Sequence, residues 1–423
     1  MERGIMLNNR IVMHIDVNSA YLSWTAVDLL ENGYGLDIRT VPAVIAGDPE
    51  NRQGIILAKS IPAKKYNIKT GMSLFEAKKI CTELKVFPPN YDLYLKCSEA
   101  MYSILKEYSP IIQRYSVDEC FLDYTDSINI LGDPIETAYI IKSRIKKELG
   151  FTVNIGIGHN KLCAKMAGEL KKPDMVHTLL NEEEIQRKLW PLDVKELFMV
   201  GRATEKKLKS INIKTIGDLA NADIVILKRI LKSHGVLIKN YAMGCDYERV
   251  IHNSEIIQKG MGNSMTIKYD VTEAEEAKKY LLALTDRVTM RLRKQGCKAS
   301  LISVFIKTSG FIRYSHQLKL PFFTDDTTTI YEYICKLFDE VWKKEPIRHL
   351  GVGVSDFSHG KQYQLTIFDS NRLKEESINQ TVDSIRAKYG QLAIFRGAFV
   401  NTDLKPMEGG VNDGNYLMMG GYK

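Results

Sequence analysis

The sequence predicts an α+β protein of several domains. Three observations carry this: residues 11–178 alternate strand and helix patterns in a βαββαβ-like order, residues 179–232 are helical throughout, and residues 261–357 return to βαββαβ. A chain of 423 residues accommodates three such cores at roughly 150 residues each. Hydrophobic residues at 44% and charged residues at 26% suit a folded chain rather than a disordered one. No stretch reaches the roughly 18–20 consecutive apolar residues that cross a bilayer, and the N-terminus lacks a signal-peptide pattern, so no membrane partner is expected. The seven cysteines are scattered without a CxxC pair, which excludes a disulfide framework or zinc cluster and suits the cytoplasm. A net charge of +8 is compatible with a polyanionic partner without proving one.

The elements follow in order. Ile11 to Val17 is an apolar run interrupted by His14 and Asp16, as expected of a buried strand whose end carries a carboxylate. Helical spacing covers Ser19 to Leu30, and Val41 to Ala46 and Gly54 to Ala58 read as short strands bridged by a turn-rich stretch. Ser73 can cap a helix reaching about Lys85, and Tyr94 to Ser109 is amphipathic. Ile111 to Tyr115 and Cys120 to Tyr124 are strands meeting at the acidic turn Ser116-Val117-Asp118-Glu119. A helix over 135–149, a strand over 152–157 and a basic helix from His159 to Leu170 complete the first unit. Short helices over 182–188, 194–198, 203–210, 216–220 and 224–232 form an all-α module.

Within that module, Phe198 to Ala203 followed by Lys206-Lys207-Leu208 looks like a helix-hairpin-helix, whose turn amides around Gly201 can bind DNA phosphates, with Ala203 in the second glycine's place. Residues 246–256 read as a tether. In the last unit, Arg313, Ser315, Gln317 and Lys319 alternate with more apolar residues, so a period of two puts both cations on one polar face that could lie along phosphates. Beyond residue 358 the chain turns polar, has one helical stretch near 377–389, and ends in a mixture of Gly, Asn and Met without a core.

Phosphoryl transfer by two metals needs two or three carboxylates converging on a pair of magnesium ions, one of which activates the attacking oxygen. Asp16 at a strand end and Asp118-Glu119 in a turn entering a neighbouring strand can be brought together by sheet pairing. By spacing alone, an acidic turn is as readily a solvent-facing one.

Three segments carry a resemblance: Asp16-Val17-Asn18-Ser19-Ala20-Tyr21, Ser116 through Asp123, and Gly158-His159-Asn160-Lys161-Leu162-Cys163-Ala164-Lys165 on to Lys172-Pro173. In this order they resemble the Y-family translesion DNA polymerases, over nearly the whole chain to about residue 357. The non-aromatic Asn18-Ser19-Ala20 resembles the UmuC-like branch more than DinB, with plasmid and prophage (UvrX-like) members of Gram-positive bacteria nearest. The resemblance implies a ferredoxin-like palm (1–21 and 78–178), small fingers (22–77), a helical thumb (179–245), a linker (246–256) and a little finger (257–357), followed by a clamp-binding segment and flexible tail (358–423).

It further implies two Mg2+ ions held by the catalytic acids Asp16, Asp118 and Glu119 with the Val17 carbonyl, and Tyr21 as a steric gate against the ribose 2′-hydroxyl. Lys64 and Lys172 would meet the triphosphate; Ala58 offers no side-chain donor, leaving Ser60 or backbone amides in its place. Lys161 and Lys165 would lie near DNA. Gln364-Leu365-Thr366-Ile367-Phe368 matches the pentapeptide by which bacterial polymerases dock on the sliding clamp, with Gln364, Leu365, Ile367 and Phe368 as contacts. The implied partners are primer-template DNA, deoxynucleoside triphosphates, the clamp and an UmuD-like accessory protein. The expected activity is DNA-directed DNA synthesis opposite damaged template bases. The competing readings are a nucleotidyl cyclase, which also uses acids on a ferredoxin-like sheet, and a non-catalytic DNA-binding damage-response factor.

Overall fold

A computed structural model describes residues 10–52, 54–359, 370–400, 402 and 404. Its contacts divide into two compact units: one holds the chain up to Ile45, Ile56–Met72 and Glu76–Ile256, the other Ala46–Ile55, Ser73–Phe75 and the chain from Ile257 on.

The first unit is built on a five-stranded sheet whose strands lie in the order Ile112–Arg114, Glu119–Asp123, Val12–Val17, Val153–Gly158 and Val176–Leu179. Its centre is β1 (Val12–Val17), followed by α1 (Ala20–Glu31). Period two sorts β1: Met13, Ile15 and Val17 enter a core with Tyr94, Met101 and Leu105 of α4 (Tyr91–Leu105) and Ala138, Ile141 and Ile145 of α6 (Pro134–Leu149). Val12, His14 and Asp16 face the other way, where Val12 packs with Phe121, Ala164 and Val250. Between α1 and α4 lie β2 (Ala43–Ala46), β3 (Ile56–Lys59), α2 (Ile61–Lys65), α3 (Leu74–Ile80) and β4 (Lys85–Phe87). The sequence reading ran α3 on to Lys85 and gave residues from 78 on to the palm. In the structure β4 pairs in parallel with β2 and closes a small β3-β2-β4 sheet.

The acidic turn separates β5 (Ile112–Arg114) from β6 (Glu119–Asp123); α5 (Ile128–Leu131) and α6 follow. Then come β7 (Val153–Gly158), α7 (Lys161–Glu169) and β8 (Val176–Leu179), a parallel edge strand that the sequence reading missed. Two glycines on β7 let α7 lie against the sheet. A Cβ on Gly156 would stand 2.0 Å from the Ala164 carbonyl oxygen, and one on Gly158 2.4 Å from the Ala164 nitrogen.

The helical module comprises α8 (Glu182–Glu184), α9 (Arg202–Ser210), α10 (Ile216–Asn221), α11 (Ile224–Leu231) and α12 (Ser233–Ala242). The helix α12 was not expected from the sequence. This module shares its core with Leu162, Cys163, Met166 and Ala167 of α7.

The second unit contains β9 (Gly260–Val271), α13 (Ala274–Lys294), β10 (Cys297–Thr308), β11 (Arg313–Thr324), α14 (Thr327–Val341) and β12 (Ile347–His359). The sheet is antiparallel in the order β11-β10-β12-β9, and the helices cover one face. The expected pattern on β11 is present: Lys307 pairs with Arg313 and Leu301 with Lys319, so both cations lie on one face of the sheet, and both are exposed. Lys319 sits 2.9 Å from Asp356, a mostly exposed pair of little consequence for stability.

The chain after 358 departs from a loose tail in its described part. The helix α15 (Ser370–Tyr389) is fastened by Arg293 to Asp383 at 2.6 Å, Asn379 to Asp326 at 2.7 Å, and the buried Arg386 to the buried Asp286 at 2.8 Å. Phe399 and Leu404 enter the core. Gln364, Leu365, Ile367 and Phe368 lie outside the described residues.

Candidate active site

Sheet register assembles the acids. Asp16 pairs with Glu119 across β1 and β6, and the Val17 amide donates to the Asp118 carbonyl at 3.1 Å. Asp16 and the adjacent pair Asp118-Glu119, distant in sequence, therefore share one end of the sheet. Asp16 and Asp118 border a cleft of about 460 Å³, which is also lined by Val17, Tyr21, Ser60 and the cations Arg39, Lys59, Lys64 and Lys172; Glu119 stands beside Asp16 in the sheet. That volume falls within the range of ~300–1,000 Å³ usual for small-ligand sites.

Each acid already has a partner. Asp16 accepts from the Lys172 ammonium, which also bonds Glu169 at 2.7 Å. Asp118 accepts from the Ser116 hydroxyl at 2.5 Å. Glu119 accepts on Oε2 from Lys165 at 2.5 Å and from His14 Nε2 at 3.1 Å. Burial pushes Asp16 above the ordinary carboxylate range; Lys172 opposes this, and the charge of Glu119 adds to it. Asp118 is raised by burial, opposed by Ser116 and reinforced by Glu119. Burial would raise Glu119 too, but the hydrogen bond from His14 and the Lys165 ammonium outweigh it and bring the group down to about 2.

Among the described residues, no three His, Cys, Asp or Glu side chains already stand as a ligand cage. The donor chemistry nonetheless fits divalent metal ions. Oxygen ligands that repel one another, as Glu119 repels both aspartates, form the set a hard cation stabilises.

Tyr21 stacks face to face on Tyr94, with ring centroids 4.3 Å apart, and meets Tyr91 edge-on at 6.1 Å. Burial, helped by Asp118, pushes its hydroxyl up to about 12, so it stays neutral. The backbone leading into Lys172 is fixed by the fully buried Asn154, whose amide donates to the carbonyls of Gly168 and Lys171. Lys59 bonds Thr70 at 3.2 Å, and its ammonium is depressed by burial and by Lys64, so two cations share the cleft. Arg39, Lys59 and Asn154 belong to no motif in the sequence, and His14 shows there only as a break in an apolar strand. Lys59 closes β3 in the structure, one residue beyond the strand expected over 54–58.

Several expected contacts come out differently. Lys161 is 8% exposed and bonds Glu248 at 3.0 Å, so its ammonium is spent within the protein rather than offered to DNA. Lys165 belongs to the carboxylate cluster, lying over the rings of Tyr115 and Phe198. Ser60 cannot stand in for a phosphate-binding hydroxyl: it donates to the Val41 carbonyl and accepts from the amides of Ala43 and Ala63, which exhausts its capacity as a helix cap. In the hairpin, Gly201 is the exposed N-cap of α9 at φ −85°, and the left-handed position falls on Met199 at φ 72°. The glycine missing from the turn is therefore at 199, not at 203.

Carboxylates on a ferredoxin-like sheet facing a cleft lined with lysines define the class of nucleotidyl-transfer enzymes that act through metals. Comparison with known proteins narrows the class. Residues 15–169 match the impB/mucB/samB family, 258–367 its C-terminal domain and 182–213 the IMS family HHH motif. A DNA polymerase IV of Clostridium acetobutylicum is 47% identical over 94% of this chain and 100% of its own. A DNA polymerase IV of Acetivibrio thermocellus is 35% identical over 92% of this chain and 97% of its own, and DNA polymerase IV 1 of Bacillus subtilis 35% over 95% and 96%. A solved Y-family DNA polymerase chimera shares the fold, with a TM-score of 0.72 at 21% identity, covering 83% of this chain and 100% of its own. The chain belongs to the impB/mucB/samB family of Y-family DNA polymerases.

Proposed function

We propose that the chain is a DNA-directed DNA polymerase that carries out translesion synthesis at the cleft lined by Asp16 and Asp118, with Glu119 beside them in the sheet. The observation that carries this is the register Asp16 to Glu119 with the Val17 amide on the Asp118 carbonyl, which brings distant acids to one edge of a lysine-lined cleft. Primer-template DNA and deoxynucleoside triphosphates are the substrates.

Two Mg2+ ions, held by the three carboxylates and the Val17 carbonyl, would lower the pKa of the primer 3′-hydroxyl and neutralise charge on the triphosphate when bound. Lys64, Lys172 and the neighbouring Lys59 receive the phosphates as point charges. Tyr21, backed by Tyr94, takes the volume a 2′-hydroxyl needs. Arg313 and Lys319 on the second unit's open sheet face and the α9 amides at Gly201 contact the DNA backbone. Residues Gln364 to Phe368 dock on a sliding clamp in the cytoplasm, and an UmuD-like protein is the accessory partner.

The relatives carry the name DNA polymerase IV, which favours that type over the UmuC-like branch suggested by Asn18-Ser19-Ala20. Primer extension by the purified protein tests the reading, on undamaged and lesion-bearing templates with magnesium and four deoxynucleotides. Extension past the lesion that disappears in Asp118→Ala, with DNA binding retained, is the expected result. Extension unaffected in Asp118→Ala would overturn the site, and a cyclic nucleotide product would overturn the activity.

A further inference from the structure

Beneath the carboxylates lies a polar side chain that this mechanism leaves without a task. His14 is fully buried, two residues before Asp16 and on the same face of β1. Across the sheet it pairs with Phe121, with ring centroids 4.8 Å apart, and lies diagonal to Glu119. From above, α7 closes the site so tightly that a Cβ on Gly168 would come within 3.3 Å of His14 Nδ1. The neighbours in this layer are Val12, Phe121 and Ala164, among which an apolar side chain would pack without loss. Instead the chain buries an imidazole whose Nδ1 has no hydrogen-bond partner among the described residues. Such an orphan is unfavourable, and it is kept where the opposite nitrogen does something.

That nitrogen, Nε2, lies 3.1 Å from Glu119 Oε2. A carboxylate oxygen accepts, so in this contact Nε2 carries the hydrogen. Lys165 donates to the same oxygen. Among the described residues nothing bonds the other oxygen, Oε1. A glutamate at the first residue of a strand has three side-chain torsions, and two donors on one oxygen remove most of that freedom.

We infer that His14 is a positioning residue, which with Lys165 pins Glu119 Oε2 so that Oε1 is presented to a divalent metal ion. The inference rests on the reading of Glu119 as a metal ligand. Partners in the shell behind a ligand typically govern metal affinity by about 10–100-fold.

The test measures Mn2+ binding by electron paramagnetic resonance, in the complex of full-length protein with a dideoxy-terminated primer-template and the next deoxynucleotide. His14→Phe keeps the packing on Phe121 and removes the donor; His14→Gln restores an N–H at a similar reach. The expected result is a Mn2+ dissociation constant raised about tenfold in His14→Phe, largely recovered in His14→Gln, at a KM for deoxynucleotide within about twofold of the parent under saturating metal. A purely structural role would lower thermal stability without moving metal affinity. Unchanged Mn2+ affinity in His14→Phe, alongside a loss in Glu119→Ala, overturns the positioning role alone. Unchanged affinity in Glu119→Ala as well overturns the ligand reading and this inference with it. Should His14→Phe fail to fold, His14→Gln against the parent decides: affinity within about threefold supports the role, and a tenfold loss despite a retained donor overturns it.

Discussion

Tyr21 sits at the cleft with one ring face covered by Tyr94 and its edge by Tyr91, so it cannot swing away when a larger sugar arrives. A rigid wall discriminates by volume, and the energy of one extra hydroxyl is decided by whether the wall yields. Tyr21→Ala should raise ribonucleotide incorporation relative to deoxynucleotide, read as the ratio of kcat/KM for matched pairs. An unchanged ratio in the folded variant would make Tyr21 a packing residue. Met199 presents a different residue-scale case, because a side chain is held at φ 72° where glycine suffers no steric penalty. It is 43% exposed, so little packing is at stake. Met199→Gly should stabilise the protein by roughly 0.5–1 kcal/mol in urea denaturation, the relief of left-handed strain less the extra entropy of glycine. Local sequence exposed the turn but misplaced its strained residue, since φ is set by how the hairpin packs.

At the scale of elements, α7 couples the fold to the chemistry. Its Ala164 and Ala167 and the glycines of β7 bring the helix backbone against the sheet, and the helix in turn delivers Lys165 to Glu119. Gly156→Ala would drive a methyl group to 2.0 Å from the Ala164 carbonyl, so the helix must lift. The expected cost is about 3 kcal/mol in stability, with a fall in extension larger than stability explains, because Lys165 loses its reach to Glu119. Normal stability with normal extension would show that the helix accommodates the change. The sequence made α7 legible as a basic helix, and basic helices near a suspected DNA site suggest phosphate contacts. Tertiary packing instead turned Lys161 to Glu248 and Lys165 to Glu119, because ammonium groups drawn into a low-dielectric interior must find carboxylates.

For the molecule as a whole, charge on the second unit's open sheet face and the anchoring of α15 are the properties to test. DNA affinity should fall steeply with salt, and Arg313→Ala should lower the slope of log affinity against log salt by about one unit. Lys161→Met should leave that slope alone, since its charge is already neutralised by Glu248. Equal slopes for Arg313→Ala and the parent would remove the sheet face from the DNA contact. The described C-terminal region is held by the Arg386 to Asp286 pair, whose side chains are 3% and 4% exposed. Arg386→Met leaves the buried Asp286 only the more distant Arg396 at 3.8 Å and should cost about 3 kcal/mol in the unfolding of this unit, whereas Arg386→Met with Asp286→Leu should recover most of it. Equal losses in the single and double variants would mean that packing, rather than the unpaired charge, is responsible.

From the sequence alone came the strand-end Asp16, the acidic turn at Asp118 and Glu119, the two βαββαβ units around a helical module, and the pair of cations on β11. These follow from periodicity and short motifs, which are local properties of the chain. Only the tertiary structure decided which cations are available to a ligand, that Ser60 spends its hydroxyl on a cap, that β4 joins the small sheet, that α15 is buried in part against α13, and that His14 stands behind Glu119. Each of these depends on a partner distant in sequence, and no local pattern specifies whether a buried polar group will meet a carboxylate, a carbonyl or a metal ion.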